Sequence, residues 1–570
     1  VLDAFIHTAR EVGRPVIRNP ILPGFNPDPS ITRVGADYYI ATSTLVWQPG
    51  VRLFYSTDLA SWSLMGHGLK TGEHDLRGLA SHQGIWAPCL TFSEAEGVFY
   101  LTYSLVRSTT AEYFDVDNFL VTAPDVRGPW SRPAYLNSIG FDPSFFHDDD
   151  GRHWLLTLEW DPREGYEHPG AIVLEEFDAE RKELCGSTTR VYRGGSDRGC
   201  LEAPHLYKRN GFYYLMAAEG GTGYGHGVTL ARSRDIAGPY EPAPVNPFLT
   251  SNPAPHFGRN DRDFLRPHLY NPHADLQKAG HGCLVDTPTG EWYVAHLCAR
   301  PLEPNQRSVL GRETAIQKVE WTDDGWLRLT TGGTLARLLT PGPAGKTHSD
   351  QQIDHERLRD DFDGSAIDIR FSTLRRPWSE DWASLSRRRG ALSIKGGEAL
   401  TSRFDVSVVA TQLQAFDAVA ETQVSLTPRH FSHSAGLAVL YDNKNFAYLR
   451  LYASESLRSN ALGIVLVKAG TKQELLLDRA TMDSDEVVLQ VRVKHGTMQF
   501  GWRLPNEASL HDIGPEIDAT YMSDETTRGF TGTMIGMACV DSYRRDIIAH
   551  FEYFDLQHGM EMFTTDSDLD

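Results

Sequence analysis

No stretch of the chain approaches the ~20 consecutive apolar residues that a membrane-spanning helix needs, so helical insertion into a bilayer is excluded. Positive charge is in deficit. Lys and Arg total 55 against 75 Asp and Glu, a net charge of −20. Most of the surface therefore repels phosphate, and no nucleic-acid partner is expected. Cysteine is scarce: Cys89, Cys185, Cys200, Cys283, Cys298 and Cys539 are scattered and form no CxxC pair. That spacing argues against a disulfide framework or a zinc site and predicts buried free thiols in a reducing compartment. No cluster has metal-ligand spacing, and neither a metal nor another cofactor is expected. The opening Val1-Leu2-Asp3-Ala4-Phe5-Ile6 has no basic segment and no sustained apolar core, so no secretory leader is expected, and the expected location is cytoplasmic.

Turn formers and aromatics, by contrast, are plentiful: 50 Gly, 31 Pro, 22 Tyr and 12 Trp. They favour short strands and tight turns over long helices. The 570 residues are too many for one core and predict roughly two to four domains.

A weak internal repeat organises the first part of the chain. Asp28-Pro29-Ser30-Ile31 leads through Gly35-Ala36-Asp37 to Tyr38-Tyr39-Ile40. Trp86-Ala87-Pro88-Cys89-Leu90 leads to Gly97-Val98-Phe99-Tyr100-Leu101, and Asp142-Pro143-Ser144-Phe145 to Asp150-Gly151-Arg152-His153-Trp154. Glu202-Ala203-Pro204-His205-Leu206 leads to Asn210-Gly211-Phe212-Tyr213-Tyr214, and His281-Gly282-Cys283-Leu284-Val285 to Gly290-Glu291-Trp292-Tyr293-Val294. Each unit reads as a hairpin whose turn is marked by Gly or Asp. Closing turns recur at Ser56-Thr57-Asp58, Ala123-Pro124-Asp125 and Ser233-Arg234-Asp235. Repeated small sheets of this kind are blades, and five blades arranged radially predict a five-bladed β-propeller. No recurrent Trp-Asp pair ends the units, which argues against a WD40 scaffold.

In a propeller the innermost strands line one central funnel. The residues that open those strands are Asp28, Trp86, Asp142, Glu202 and His281. A lone Asp-Pro is only a turn signal. Three carboxylates at corresponding places, with Trp and His at the other two, exceed what turn geometry requires. Glycoside hydrolysis needs two carboxyl groups, one to protonate the leaving oxygen and one to activate water or attack. An inverting enzyme sets them ~6.5–9.5 Å apart, a separation that positions across a funnel can supply. A third carboxylate beside the acid raises its pKa and keeps it protonated.

The segments Pro23-Gly24-Phe25-Asn26-Pro27-Asp28-Pro29-Ser30, Gly84-Ile85-Trp86-Ala87-Pro88, Gly140-Phe141-Asp142-Pro143-Ser144, Glu202-Ala203-Pro204-His205-Leu206-Tyr207, Glu219-Gly220-Gly221-Thr222-Gly223-Tyr224 and Leu310-Gly311-Arg312-Glu313-Thr314 resemble glycoside hydrolase family 43, and within it the β-xylosidases. The resemblance implies that Asp28 is the general base, Glu202 the general acid and Asp142 the residue that tunes and orients the acid. It implies that Trp86 and Trp160 pack against the sugar, that Arg312 bonds sugar hydroxyls, and that Thr222 belongs to the binding loop. His281 is expected either to orient Asp142 or to hold a metal or water in the channel. The chain departs from the family pattern at Leu45-Val46-Trp47-Gln48-Pro49-Gly50, a loop expected to shape the sugar-binding wall.

A Pro/Gly/polar segment, Thr340-Pro341-Gly342-Pro343-Ala344-Gly345, follows the repeats. Beyond it, period-2 runs at 435–441, 447–452, 487–493 and 547–554 predict a β-sandwich, and Arg359-Asp360-Asp361-Phe362-Asp363 resembles the start of the concanavalin-like domain these xylosidases append. The expected organisation is an N-terminal extension (1–19), a propeller (20–340), a linker (341–357) and a sandwich (358–570). The sandwich is expected to buttress the active-site mouth, and it could also join two copies of the chain. The expected activity is that of an inverting, exo-acting β-1,4-xylosidase on xylooligosaccharides. An α-L-arabinofuranosidase on the same scaffold is the nearest alternative, and a non-catalytic carbohydrate-binding propeller the alternative of a different class. A fructan-cleaving propeller would carry Arg-Asp-Pro where this chain has Phe141-Asp142-Pro143.

Overall fold

A computed structural model describes residues 15–254, 263–345 and 357–559. Residues 1–14 of the expected extension and 346–356 of the expected linker lie outside the described residues.

The chain is almost entirely β. Five antiparallel blades follow one another, each running from an inner to an outer strand; four have four strands, and the fourth adds the short strand Leu249–Thr250. The inner strands are Ser30–Val34, Gly84–Ser93, Ser144–His147, Glu202–Arg209 and Gln277–Asp286. Each contacts the next, and the fifth returns to the first, so the ring closes. A two-stranded sheet of Val16–Arg18 and Leu339–Pro341 ties the two ends of the ring together.

Each blade is covered on both faces, so its second strand, such as Val98–Ser108 or Trp292–Ala299, is buried along most of its length rather than alternating. One apolar cluster lies between each pair of neighbouring blades. Leu53, Leu90 and Leu101 pack between the first and second, and Tyr100, Phe145 and Leu155 between the second and third. Leu156, Leu206 and Leu215 pack between the third and fourth, Met216, Leu284 and Val294 between the fourth and fifth, and Ile31, Ile40 and Tyr293 between the fifth and first. Radial burial thus holds the ring without covalent help. None of the six cysteines forms a disulfide.

One backbone device recurs at the hub. A non-glycine residue with left-handed φ sits at each inner-strand entrance: Asp28 (56°), Ala87 (40°), Asp142 (57°), Ala203 (52°) and His281 (48°). Such residues cost of order 1–3 kcal/mol each and persist where the surroundings over-determine them. They also refine the repeat alignment. Asp28, Asp142 and His281 are equivalent, but in the second and fourth blades the equivalent residue is the alanine that follows Trp86 and Glu202. Trp86 and Glu202 therefore lie one residue earlier than Asp28 and Asp142, and their side chains leave the backbone in a different direction.

Two sheets form the second unit. One contains Ile548–His558 and Asp417–Ser425, and the other His433–Asp442 and Met534–Asp541, with Leu437, Leu449, Val491 and Phe551 among the core residues between them. The loop of the first blade that departs from the family pattern does not face the funnel. Its residues Trp47–Gln48 form an edge strand of the second sheet, paired with Ser372–Leu374. Trp47 is buried against Leu374, Leu400 and Val406. Trp47 is therefore part of the junction between the two units.

Candidate active site

The three carboxylates meet in one cavity of about 650 Å³, lined also by Trp86, Trp160, Thr222, His281 and Arg312. Every site residue singled out in the sequence thus faces the same space.

Asp28 is buried, and its Oδ2 accepts a 2.7 Å hydrogen bond from the Ser43 hydroxyl. Ser43 in turn accepts from the Ala87 amide at 2.7 Å. The Arg312 Nη1 lies 3.3 Å from Asp28 Oδ1, and His281 Nδ1 lies 3.8 Å from the same oxygen. Burial by itself would raise the Asp28 carboxyl, but Arg312, His281 and the Ser43 hydrogen bond outweigh it and hold it below the ordinary aspartate value. His281, expected beside Asp142, thus sits against Asp28; its left-handed backbone directs the ring that way.

Asp142 and Glu202 are pushed in the opposite direction. Burial, then the charge of Asp28, raises Asp142 to about 7, against the pull of the Ala203 amide and Arg312. Burial, then Asp142 and Asp28, raises Glu202 well above the ordinary glutamate value, with Arg312 opposing. Three carboxyl groups near one guanidinium cannot all ionise, and the one closest to the cation keeps its charge. The site therefore holds an ionised carboxylate and a protonated carboxylic acid at the same pH.

Aromatic walls surround this centre. Trp86 meets Phe114, Phe141 and Phe530 edge-on at 6.1, 5.8 and 5.4 Å, and its Nε1 donates to the His82 carbonyl at 2.8 Å. Trp160 lies 4.1 Å from Phe114, stacks on His168 at 5.4 Å, and donates from Nε1 to the Glu112 carbonyl at 2.8 Å. Both indoles are fixed by their hydrogen bonds and present apolar faces, which suits the C–H face of a pyranose.

The second unit completes the pocket. Phe530 and Arg528 reach into it from the sandwich. The Arg312 guanidinium lies 4.9 Å over the Phe530 ring, and Arg528 pairs with Asp263 of the propeller at 2.5 Å. Sequence reasoning missed Phe530, Arg528 and Ser43, none of which has a local signal tying it to the funnel. It also missed His226, whose Nε2 lies 3.6 Å from Glu202 Oε1; that residue stands two positions beyond the segment Glu219–Tyr224 already singled out.

A glycosidase-like carboxylate trio in a five-bladed propeller is the class that fold and site define. The model of glycosyl hydrolases family 43 matches residues 17–327, and that of the β-xylosidase C-terminal concanavalin A-like domain matches 359–557. The chain is 41% identical to the xylosidase/arabinosidase 43B of Humicola insolens, over 95% of this chain and 97% of that one. It is 38% identical to a xylan 1,3-beta-xylosidase of Vibrio sp, over 95% of this chain and 99% of that one. The crystal structure of a xylan beta-1,4-xylosidase from Bacillus Halodurans C-125 superposes with a TM-score of 0.88 at 43% identity, covering 95% of this chain and all of that one. The chain belongs to glycoside hydrolase family 43 and is a glycoside hydrolase with an appended concanavalin-like domain.

Proposed function

We propose that the enzyme is an exo-acting β-1,4-xylosidase that releases xylose from the non-reducing end of xylooligosaccharides with inversion of the anomeric centre. The observation that carries this reading is the opposed protonation of two carboxyl groups in one cavity, Asp28 held below its ordinary value and Glu202 held above it. Asp28 takes a proton from water as that water attacks the anomeric carbon. Glu202 gives its proton to the departing glycosidic oxygen. Asp142 keeps Glu202 protonated by its nearby negative charge, and the Ala203 amide fixes Asp142 in place. Arg312, with its fixed fork of donors, holds Asp28 and offers the remaining N–H groups to sugar hydroxyls. Phe530 and Arg528 wall one side of the cavity, which favours removal of a terminal unit over cleavage within a chain.

The similarity to proteins named xylosidases supports the substrate class, and the relative named for both activities supports a second reading, release of α-L-arabinofuranosyl groups in the same pocket. The similarity to a 1,3-xylosidase makes the linkage a quantity to be measured. The test is an NMR time course on xylotetraose and on its 1,3-linked counterpart, with nitrophenyl β-xyloside and α-arabinofuranoside assayed in parallel. Release of α-xylose from the non-reducing end of the 1,4-linked tetramer is the expected result. Release of β-xylose, or internal cleavage, would overturn the inverting exo reading.

A further inference from the structure

His226 lies behind the acid and is wholly buried. It does not line the cavity, so no substrate reaches it. Its Nδ1 lies 3.2 Å from the backbone carbonyl of Lys278. A carbonyl only accepts, so Nδ1 carries the hydrogen and the neutral ring presents a bare lone pair at Nε2. Burial, followed by the neighbouring His281 and Arg312, lowers the imidazole to about 3 and keeps it neutral. The lone pair points at Glu202 Oε1, 3.6 Å away, and neither atom has another hydrogen-bond partner. At that distance the pair is not a closed hydrogen bond, but a carboxyl hydrogen on Oε1 would have one acceptor to turn to. An ionised carboxylate would instead set two lone pairs against each other. Gly280 fixes the ring in place: a Cβ there would lie 2.2 Å from His226 Cγ.

Lys278 is itself held in an unusual way. Its φ is +56°, and its ammonium is fully buried in the second unit. There it lies 3.0 Å from Asp524 Oδ2, 2.7 Å from Glu525 Oε1 and 3.1 Å from Ser308 Oγ. Four consecutive residues therefore link three places. Lys278 grips the sandwich with its side chain and His226 with its carbonyl, Gly280 backs the His226 ring, and His281 faces the base Asp28.

We propose that His226 is a positioning residue for the acid, offering its Nε2 lone pair to a carboxyl hydrogen on Glu202 Oε1 and opposing the ionised carboxylate, with Lys278 and its partners Asp524 and Glu525 fixing the tautomer that allows it. The proposal rests on Glu202 being the acid. The charged and titratable groups that act on Glu202 are Asp142, Asp28 and Arg312, with His226 against Oε1.

The test uses the full chain. His226→Phe keeps an aromatic ring and removes both nitrogens. Its basic limb in kcat/KM on xylobiose is expected to move to lower pH; a shift of about one pH unit gives a loss approaching tenfold on the basic side of the parent's profile and a smaller one at its optimum. On dinitrophenyl β-xyloside, whose leaving group needs no proton, turnover is expected to fall far less. Lys278→Met is expected to move the limb in the same direction. An unmoved limb, or equal loss on both substrates, overturns the proposal. Glu202→Gln measured alongside separates the two readings: if it too loses equally on both substrates, the acid assignment fails and the inference falls with it. Should the variants not fold, 15N spectra of the histidine-labelled parent decide the matter. A resonance of the Nδ1–H tautomer persisting between pH 5 and 8 is expected for His226, and an Nε2–H tautomer or an imidazolium overturns the proposal.

Discussion

The amide of Ala203, the residue directly after the acid, donates a 2.8 Å hydrogen bond to Oδ2 of Asp142. The fourth blade thus grips the carboxylate of the third at its own left-handed entrance residue. A related arrangement recurs two blades away, where the Ala87 amide reaches Asp28 through the Ser43 hydroxyl. The modulator is thus held by a backbone amide, which does not rotate as a side chain does, and the base by one hydroxyl that a backbone amide orients.

Removal of the acid should discriminate between leaving groups. Glu202→Ala is expected to lose roughly 10²–10⁴-fold in kcat on xylobiose, the usual worth of general-acid catalysis. On dinitrophenyl β-xyloside most of the rate should remain. Steady-state kinetics on the two substrates checks this, and a matching loss would remove Glu202 from the acid's role.

Asp142→Asn should move the basic limb of the pH–rate profile downward, because the negative charge that helps to raise Glu202 is gone. The amide oxygen can still accept from Ala203, so the fold should survive. A limb that stays in place would mean that burial alone tunes the acid.

The same substitution should alter stability in a pH-dependent way. Asp142 titrates near 7 in the folded chain against 3.8 for the free group. A raised carboxyl binds its proton more tightly when folded, so its contribution is fully present below 3.8 and lost as pH rises through 7. Asn never ionises. The variant should therefore melt above the parent at pH 8, by at least about 2 °C, with the gain fading towards pH 4. Calorimetry at the two pH values tests the sign.

Gly311 precedes Arg312 with φ at +81°, and a Cβ there would lie 2.3 Å from the Thr531 carbonyl oxygen. Gly311→Ala should displace the loop that carries Phe530, lower stability by about 1–3 kcal/mol and raise KM for xylobiose. Thermal unfolding together with kinetics reports both effects.

Phe530→Ala removes the ring under Arg312 and beside Trp86 without touching the three carboxylates. The expected effect is a rise of about three- to tenfold in KM for xylobiose, with kcat less affected. A kcat loss at unchanged KM would instead place Phe530 in the chemistry.

The sequence by itself determined the propeller and its carboxylates, because the signals are local. A turn residue, a proline and an aromatic strand recur at each blade entrance, and Asp28, Asp142 and Glu202 stand at three of those entrances. Tertiary structure decided what each group does to its neighbours. The one-residue offset of Glu202 and Trp86 came from left-handed backbone that spacing does not reveal. The turn of Trp47 into the junction came from its pairing with Leu374, a partner far along the chain. Phe530, Arg528 and the Lys278 grip come from a second unit more than 180 residues beyond the propeller's last strand. Protonation was settled last, since burial and the placing of one guanidinium depend on distances that exist only once the ring has closed.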